Sequence, residues 1–204
     1  NIVQEDGKVF LYSAVNKKPE HYYKSRGRKN LQADESTVHY FSHACVKLNN
    51  SETSVFTDPW LVGPAFSKGW WLLHKPPEDW LDQLVNAGAI YISHNHSDHM
   101  NVHTLMEVVK LRPNIPLLIP NFENSTMPQE LEEMGFTNIN VLEFYAWHSL
   151  SENTQFMILP DSTGRHDSGF LYEHKGYRVC SVVDSNNCCE GDLPKDVDLY
   201  LSSF

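Results

Sequence analysis

From Thr37 onward, apolar and polar positions alternate, with Val38, Tyr40, Ala44, Val46 and Leu48 on one parity. A period of two over that length predicts an antiparallel β start with one buried face. Asn49-Asn50-Ser51 reads as a turn, and Ser54-Val55-Phe56-Thr57 begins a further strand that stops at Asp58-Pro59. Residues 63–77 form a long loop carrying Trp70 and Trp71. Trp80, Leu81, Leu84 and Val85 then recur at helical spacing until Gly88 ends the run. Residues 89–92 are wholly apolar, the mark of a strand buried on both faces, and they deliver the chain to Ser93-His94. A helix follows through Val102, Leu105, Met106, Val109 and Leu111, broken by Pro113. Next come a strand at 115–119, a short helix over 129–134 and a strand at 139–144. The remainder returns to β at 155–159, 170–174, 177–183 and 197–201, with a Lys175-Gly176 turn between the second and third. Hairpins, a β-α-β stretch and hairpins again imply a layered sheet covered by helices, an α/β (α+β) class.

Residues 1–36 show no sustained period and read as an irregular leader or interdomain linker, with an ordered hairpin around residues 9–13 as the alternative, ahead of a domain over 37–204. They hold seven Lys/Arg against five acids, so the rest of the chain carries −12 of a formal net charge of −10. That balance argues against nucleic acid as a partner, which would favour a basic face. A bound metal can reverse the local field of an acidic protein, so an anionic substrate stays open. No apolar run reaches the roughly 20 residues of a membrane span, and no membrane partner is expected. The four cysteines, two of them adjacent, make a poor disulfide framework and suit a reducing, cytoplasmic setting. Asn1 is not an initiator methionine and Phe204 falls just after an expected strand, so the chain reads as cut at both ends, a fragment of one soluble domain.

The candidate chemistry sits at His94-Asn95-His96-Ser97-Asp98-His99. Imidazoles two apart in an extended turn point to the same side, so His94 and His96 can grip one metal while Asp98 and His99 face a second position. Imidazole and carboxylate suit zinc, iron or manganese. Placement after a buried strand is where sheet-based enzymes keep their ligands. A plainer reading makes these loop residues at a helix cap, and Asn101 or Ser97 caps the next helix in either case.

HxHxDH after a buried strand resembles the metallo-β-lactamase superfamily. The resemblance implies an αββα sandwich, here C-terminally truncated, with one or two divalent metals sharing a bridging water. His94 and His96 would hold the first metal, Asp98 and His99 the second, with Asp98 also the catalytic carboxylate. Asp184 fits the bridging place after a later strand, or is a turn-forming Asp. Asp58 resembles the early Asp that orients such ligands, or is a plain Asp-Pro turn. A third histidine for the first metal is expected from the loop after 155–159, where His166 lies; His148 is the rival. His103, on the following helix, reads as packing or solvated.

Further stretches go beyond the superfamily: Tyr40-Phe41-Ser42-His43-Ala44-Cys45, Asp58-Pro59-Trp60-Leu61-Val62-Gly63-Pro64, Gly69-Trp70-Trp71-Leu72-Leu73-His74-Lys75-Pro76-Pro77, Ile90-Tyr91-Ile92-Ser93-His94 and Phe156-Met157-Ile158-Leu159. They resemble the CMP-N-acetylneuraminate hydroxylases, from about Thr37 to Phe204. That likeness implies an iron-dependent monooxygenase of sialic acid metabolism. In it a Rieske domain with a 2Fe-2S cluster takes electrons from a cytochrome b5 type donor, and the lactamase-like domain binds the nucleotide sugar. A Rieske centre needs CxH and CxxH pairs, and this chain contains neither. The family's domain also continues beyond the equivalent of Phe204, where superfamily sites place a last metal histidine. Trp70, Trp71 and Trp80 would stack on base or sugar, or else belong to the core. The rival reading is a hydrolase whose metal-activated water attacks a phosphodiester, ester or lactone. The third is a binding module that has kept the scaffold.

Overall fold

The computed structural model describes the backbone of residues 2–5 and 8–11, and residues 36–185 and 197–202 in full. The chain runs β1 (Ile2–Glu5), β2 (Lys8–Leu11), β3 (Thr37–Ser42), β4 (Cys45–Asn49), β5 (Ser54–Thr57), α1 (Trp80–Val85), β6 (Ala89–Tyr91) and α2 (Val102–Leu111). It continues with β7 (Leu117–Pro120), α3 (Met127–Met134), β8 (Ile139–Leu142), β9 (His148–Ser149), β10 (Thr154–Pro160), β11 (Ser168–His174), β12 (Tyr177–Ser181) and β13 (Leu199–Leu201). β1 and β2 pair antiparallel, Glu5 opposite Lys8. This hairpin departs from the irregular leader expected over 1–36. Its sequence signal is Asp6-Gly7, a dipeptide favoured in two-residue hairpin turns. The polar stretch Lys17–Arg28, read as linker, lies outside the described residues.

Two sheets stack. The first has the order β3-β4-β5-β6-β7-β8, antiparallel through β5 and parallel from β5 to β8; the second has the order β13-β12-β11-β10-β9. The two-residue period decides which side chains face which layer. Phe56, Ile90, Leu117 and Ile119 pack under the helices with Leu84, Leu105, Val108 and Leu131. Val55, Ala89, Tyr91 and Leu118 face the other way, against Phe156, Ile158, Phe170, Tyr172 and Val179 of the second sheet. The α/β/β layering of the expected sandwich is therefore present. On the far face of the second sheet lies a small cluster of Leu159, Leu171 and Cys180. Among the described residues no helix is long and apolar enough to cross a membrane.

Two departures from the sequence pattern bear on the site. The alternation from Val38 to Leu48 is one run in the sequence, yet the chain reverses within it: Ser42 pairs with Cys45, leaving His43-Ala44 as the turn, and the register shifts between Tyr40 and Ser42. The two-residue turn reverses parity at Ser42–Cys45 and the register shift restores it, so that Tyr40 pairs with Val46 and Val38 with Leu48 and the alternation passes through unmarked. The second concerns the loop after β5. Gly63 has φ +74, and a Cβ there would meet the His103 ring at 2.5 Å. His103 thus packs against this loop, matching the packing role read for it.

Candidate metal centre

β5, β6 and β7 run parallel, so their C-terminal ends share one edge of the sheet. Asp58 follows β5, and its N–H donates to the Tyr91 carbonyl at the end of β6 (2.8 Å). Ile92, Ser93 and His94 extend β6 to the same edge, all buried. The turn Ser97–Met100 then leads into α2, which Asn101 caps by accepting from the Thr104 N–H (3.0 Å). That is the cap expected from the sequence. Ser97 does other work, accepting from the Phe66 N–H (2.7 Å).

Asp58 organises the imidazoles. It is fully buried and accepts from the Ser93 N–H (2.7 Å) and the Ser93 hydroxyl (2.8 Å), and its Oδ2 lies 3.1 Å from His99 Nδ1. Since the Ser93 hydroxyl donates to Asp58, its oxygen can accept from His94 Nδ1, 2.9 Å away. Both rings then carry their proton on Nδ1, the tautomer this network assigns, and both turn Nε2 toward the open edge. His94 Nε2 and His96 Nδ1 converge to 2.8 Å. His99 Nε2 lies 3.5 Å from Asp98 Oδ2 and 3.3 Å from Asp184 Oδ2.

Two groups of ligand atoms result. His94, His96 and Asp184 form one and His43, Asp98 and His99 the other, the atoms of each group lying within 4.8 Å of one another. Asp184 faces both, through the first group and through its contact with His99. Asp167 also reaches the site, its Oδ1 3.5 Å from His94 Nδ1. Four carboxylates, Asp58, Asp98, Asp167 and Asp184, thus meet at one edge, a charge that two divalent cations would balance. Among the described residues, two buried side-chain atoms make no hydrogen bond, Asp98 Oδ1 and His99 Nε2. Orphaned buried polar atoms are costly unless something meets them, and a cation fits both. The donor set therefore suits a metal cofactor.

The electrostatics carry the same imprint. Burial pushes the Asp98 carboxyl up, but the hydrogen bond from His43 and the nearby His99 charge outweigh it and hold it well below the usual range. Burial likewise favours neutral His99, yet the Asp58 charge and the contacts to Asp184, Asp58 and Asp98 prevail and hold its pKa well above normal. His94, with burial and then the His99 charge against it, falls to about 4. Asp167 rises to about 7, from burial and the neighbouring Asp184 charge.

A pH dependence follows. A raised His99 pKa means that the metal-free site holds a proton where a cation would bind, so metal must displace it. Affinity is expected to fall as pH drops below neutrality and to rise as pH climbs toward the folded-state pKa of His99, about tenfold per unit for each proton displaced. Calorimetry in buffers of different ionisation enthalpy reads the released protons directly. An affinity unchanged between pH 6 and 8 would count against the site.

The structure places His94, His96, Asp98, His99, Asp184 and Asp58 together. His166 is not brought in. Its ring stacks flat on Phe122, with centroids 4.9 Å apart and planes 4° apart, and it lines a small cleft with Asn95, Asn124 and Met127. Adjacent residues entering β11 point opposite ways, so with Asp167 turned inward His166 faces out. The rival His148 lies 3.4 Å from the Glu143 carbonyl and joins neither group. Sequence reasoning missed Ser93, Asp167 and His43. Asp167 had a usable signal, an acid immediately before the strand that packs on Tyr91. Ser168, the next residue, donates to the Ser93 carbonyl (2.7 Å) and so ties the two sheets at the motif.

The tryptophan loop stands beside this edge. Trp70 and Trp71 are 54% and 62% exposed, so neither is core. Trp80 is half-buried against the helical core instead. Phe66 meets Trp70 edge to face (4.8 Å) and lies 6.1 Å from the exposed His96 ring. Phe66, Ser67 and Lys68 all have positive φ. Such backbone strain, about 1–3 kcal/mol per residue, persists only where the surroundings impose it. The Ser97 contact to Phe66 is one such restraint.

Residues 37–184 match the family model described as beta-lactamase superfamily domain. The cytidine monophosphate-N-acetylneuraminic acid hydroxylase of Danio rerio is 42% identical over 182 residues, which is 88% of this chain and 31% of that protein. A Homo sapiens relative described as an inactive cytidine monophosphate-N-acetylneuraminic acid hydroxylase is 41% identical over 182 residues, 88% of this chain and 36% of its own. The chain thus spans about a third of the length of these relatives. Among solved structures, a variant of the CmlA beta-hydroxylase superposes with a TM-score of 0.56 at 25% identity, covering 75% of this chain and 31% of that one.

Proposed function

This chain belongs to the beta-lactamase superfamily, and from that premise we propose that it is the metal-holding domain of a hydroxylase converting CMP-N-acetylneuraminate to CMP-N-glycolylneuraminate. The observation that carries the reading is the 42% identity over 182 residues to a relative named for that hydroxylation. In such a monooxygenation one oxygen atom of O2 enters a C–H bond of the N-acetyl methyl group, and the other leaves as water with two electrons and two protons. Iron fits the requirement for one-electron steps. The electrons would come through a Rieske 2Fe-2S domain outside this chain from a cytochrome b5 type donor, with residues 1–36 as leader or linker and 37–204 as the lactamase-like unit. A cytoplasmic setting suits such a donor and the buried, free Cys45.

When bound, the metal pair supplies positive charge and redox capacity at the sheet edge. His94, His96 and Asp184 would hold one ion, Asp98, His99 and the shared Asp184 the other. Asp58 and Ser93 fix the His94 and His99 rings, so an arriving cation would meet imidazoles already oriented toward it. Asp167, poised near neutrality, can hold a proton beside His94. Trp70 and Trp71 offer the cytosine base and sugar a stacking face at the rim, close to His96.

Calorimetric titration of the iron-loaded protein with CMP-N-acetylneuraminate tests the reading, with CMP and N-acetylneuraminate as separate controls. Binding of the whole nucleotide sugar more tightly than either part is expected. No binding, together with turnover of a phosphodiester by the zinc-loaded protein, would favour the hydrolase. Trp70→Ala and Trp71→Ala are each expected to weaken nucleotide-sugar binding by about 1–3 kcal/mol, the worth of one stacked base, with metal content unchanged. Equal binding by wild type and both variants would remove the stacking role.

A further inference from the structure

We propose that His43 supplies a ligand to the second metal position, which is then enclosed by His43, Asp98, His99 and the shared Asp184. The proposal rests on the two-metal reading above and adds a ligand from the β3–β4 turn, which lies beside the end of β5 at the same sheet edge. His43 Nε2 lies 2.9 Å from Asp98 Oδ2, and the ligand atoms of His43, Asp98 and His99 share one cluster. His99 Nε2, beside that cluster's Asp98 Oδ2 (3.5 Å), is a buried nitrogen that makes no hydrogen bond among the described residues. Asp184 Oδ2, 3.3 Å from it, brings a second carboxylate beside this three-residue group. That set and number suit tetrahedral zinc, and the same donors suit iron.

The backbone gives a second, independent reason. His43 sits at φ +46 in the two-residue turn between β3 and β4, in the left-handed region that favours glycine or asparagine. The register shift between Tyr40 and Ser42 sits just before it, and such bulges re-aim side chains next to active sites. The His43 ring is held edge-on between Trp60 and His99, with both centroid distances 5.3 Å. The turn, the bulge and Trp60 together direct an imidazole at the metal edge.

The competing role is mere positioning, in which His43 donates to Asp98 and never meets a cation. Cobalt(II) titration of wild type, His43→Ala and His43→Gln separates the two, read by calorimetry and by the visible d–d absorption. Glutamine keeps an N–H donor for Asp98 but is a poor metal ligand. Wild type is expected to bind two equivalents. Both variants are expected to keep one tight equivalent and to bind the second at least about tenfold more weakly, with reduced d–d intensity. Two equivalents in His43→Gln at wild-type affinity and absorption would overturn ligation by His43 while leaving the two-metal site standing. A single equivalent in wild type would overturn the two-metal site and this proposal with it. Thermal unfolding in chelator, matched between wild type and His43→Gln, confirms that any loss is not misfolding.

Discussion

Asp184→Asn is expected to lower bound metal from about two equivalents to one or fewer, and to abolish any activity that needs the pair. The carboxylate is the group that faces both ligand clusters. Asparagine keeps the shape and one oxygen but removes the charge, and a neutral amide oxygen does not balance two cations sharing it. Because Asp184 lies on a partly exposed turn, with its side chain 43% accessible, the metal-free protein should lose no more than about 1 kcal/mol. Loss of metal without loss of fold is therefore the expected signature. Elemental analysis after dialysis reads the metal, and urea unfolding in chelator reads the fold. Two retained equivalents would mean that Asp184 is a turn residue only.

Asp58→Ala is expected to show the opposite balance. Asp58 is fully buried and is the partner of the Ser93 N–H, the Ser93 hydroxyl and His99 Nδ1. Removing it leaves the two Ser93 donors and His99 Nδ1 unpaired and takes the largest compensating charge from a buried imidazolium, a cost of about 3–5 kcal/mol. Asp58→Asn should be milder in stability, about 1–3 kcal/mol. It still presents the wrong partner to His99, and metal affinity should fall by 10- to 100-fold, the usual effect of losing the group that orients a ligand. Unfolding in chelator and metal titration of both variants give the two numbers. Wild-type stability in Asp58→Ala would show that the Asp58-Pro59 turn, not the network, accounts for the residue.

Sequence reasoning reached furthest where the physics is local. The run at 89–92 announced a strand buried on both faces, because a strand between two parallel neighbours must be apolar throughout. His94, His96, Asp98 and His99 were legible because their spacing alone puts imidazoles on one side of a turn. Asn101 was legible as a cap for the same reason. Asp58 and Asp184 could be picked out as acids ending strands, and the choice between ligand and turn waited for the sheet edge.

His43, Asp167 and His166 were decided otherwise. His43 was hidden because the register shift before it offsets the parity change of the two-residue turn, so the period-two pattern runs on and nothing in the local sequence marks the reversal that swings it toward Asp98. His166 drew the choice of third histidine by chemical type, while its neighbour Asp167 occupies the inward direction. One residue of register separates those outcomes, and register in β11 is set by pairing with β10 and β12 and by the Tyr91–Ser168 contact across the two sheets. The sequence by itself determined the class of the fold, the buried strand and the chemistry of the motif, because periodicity and spacing act over a few residues. Which distant carboxylates and which imidazole join that motif was decided only by the tertiary structure, because parallel strands and stacked sheets bring to the motif positions about 35 to 90 residues from it that no local preference links.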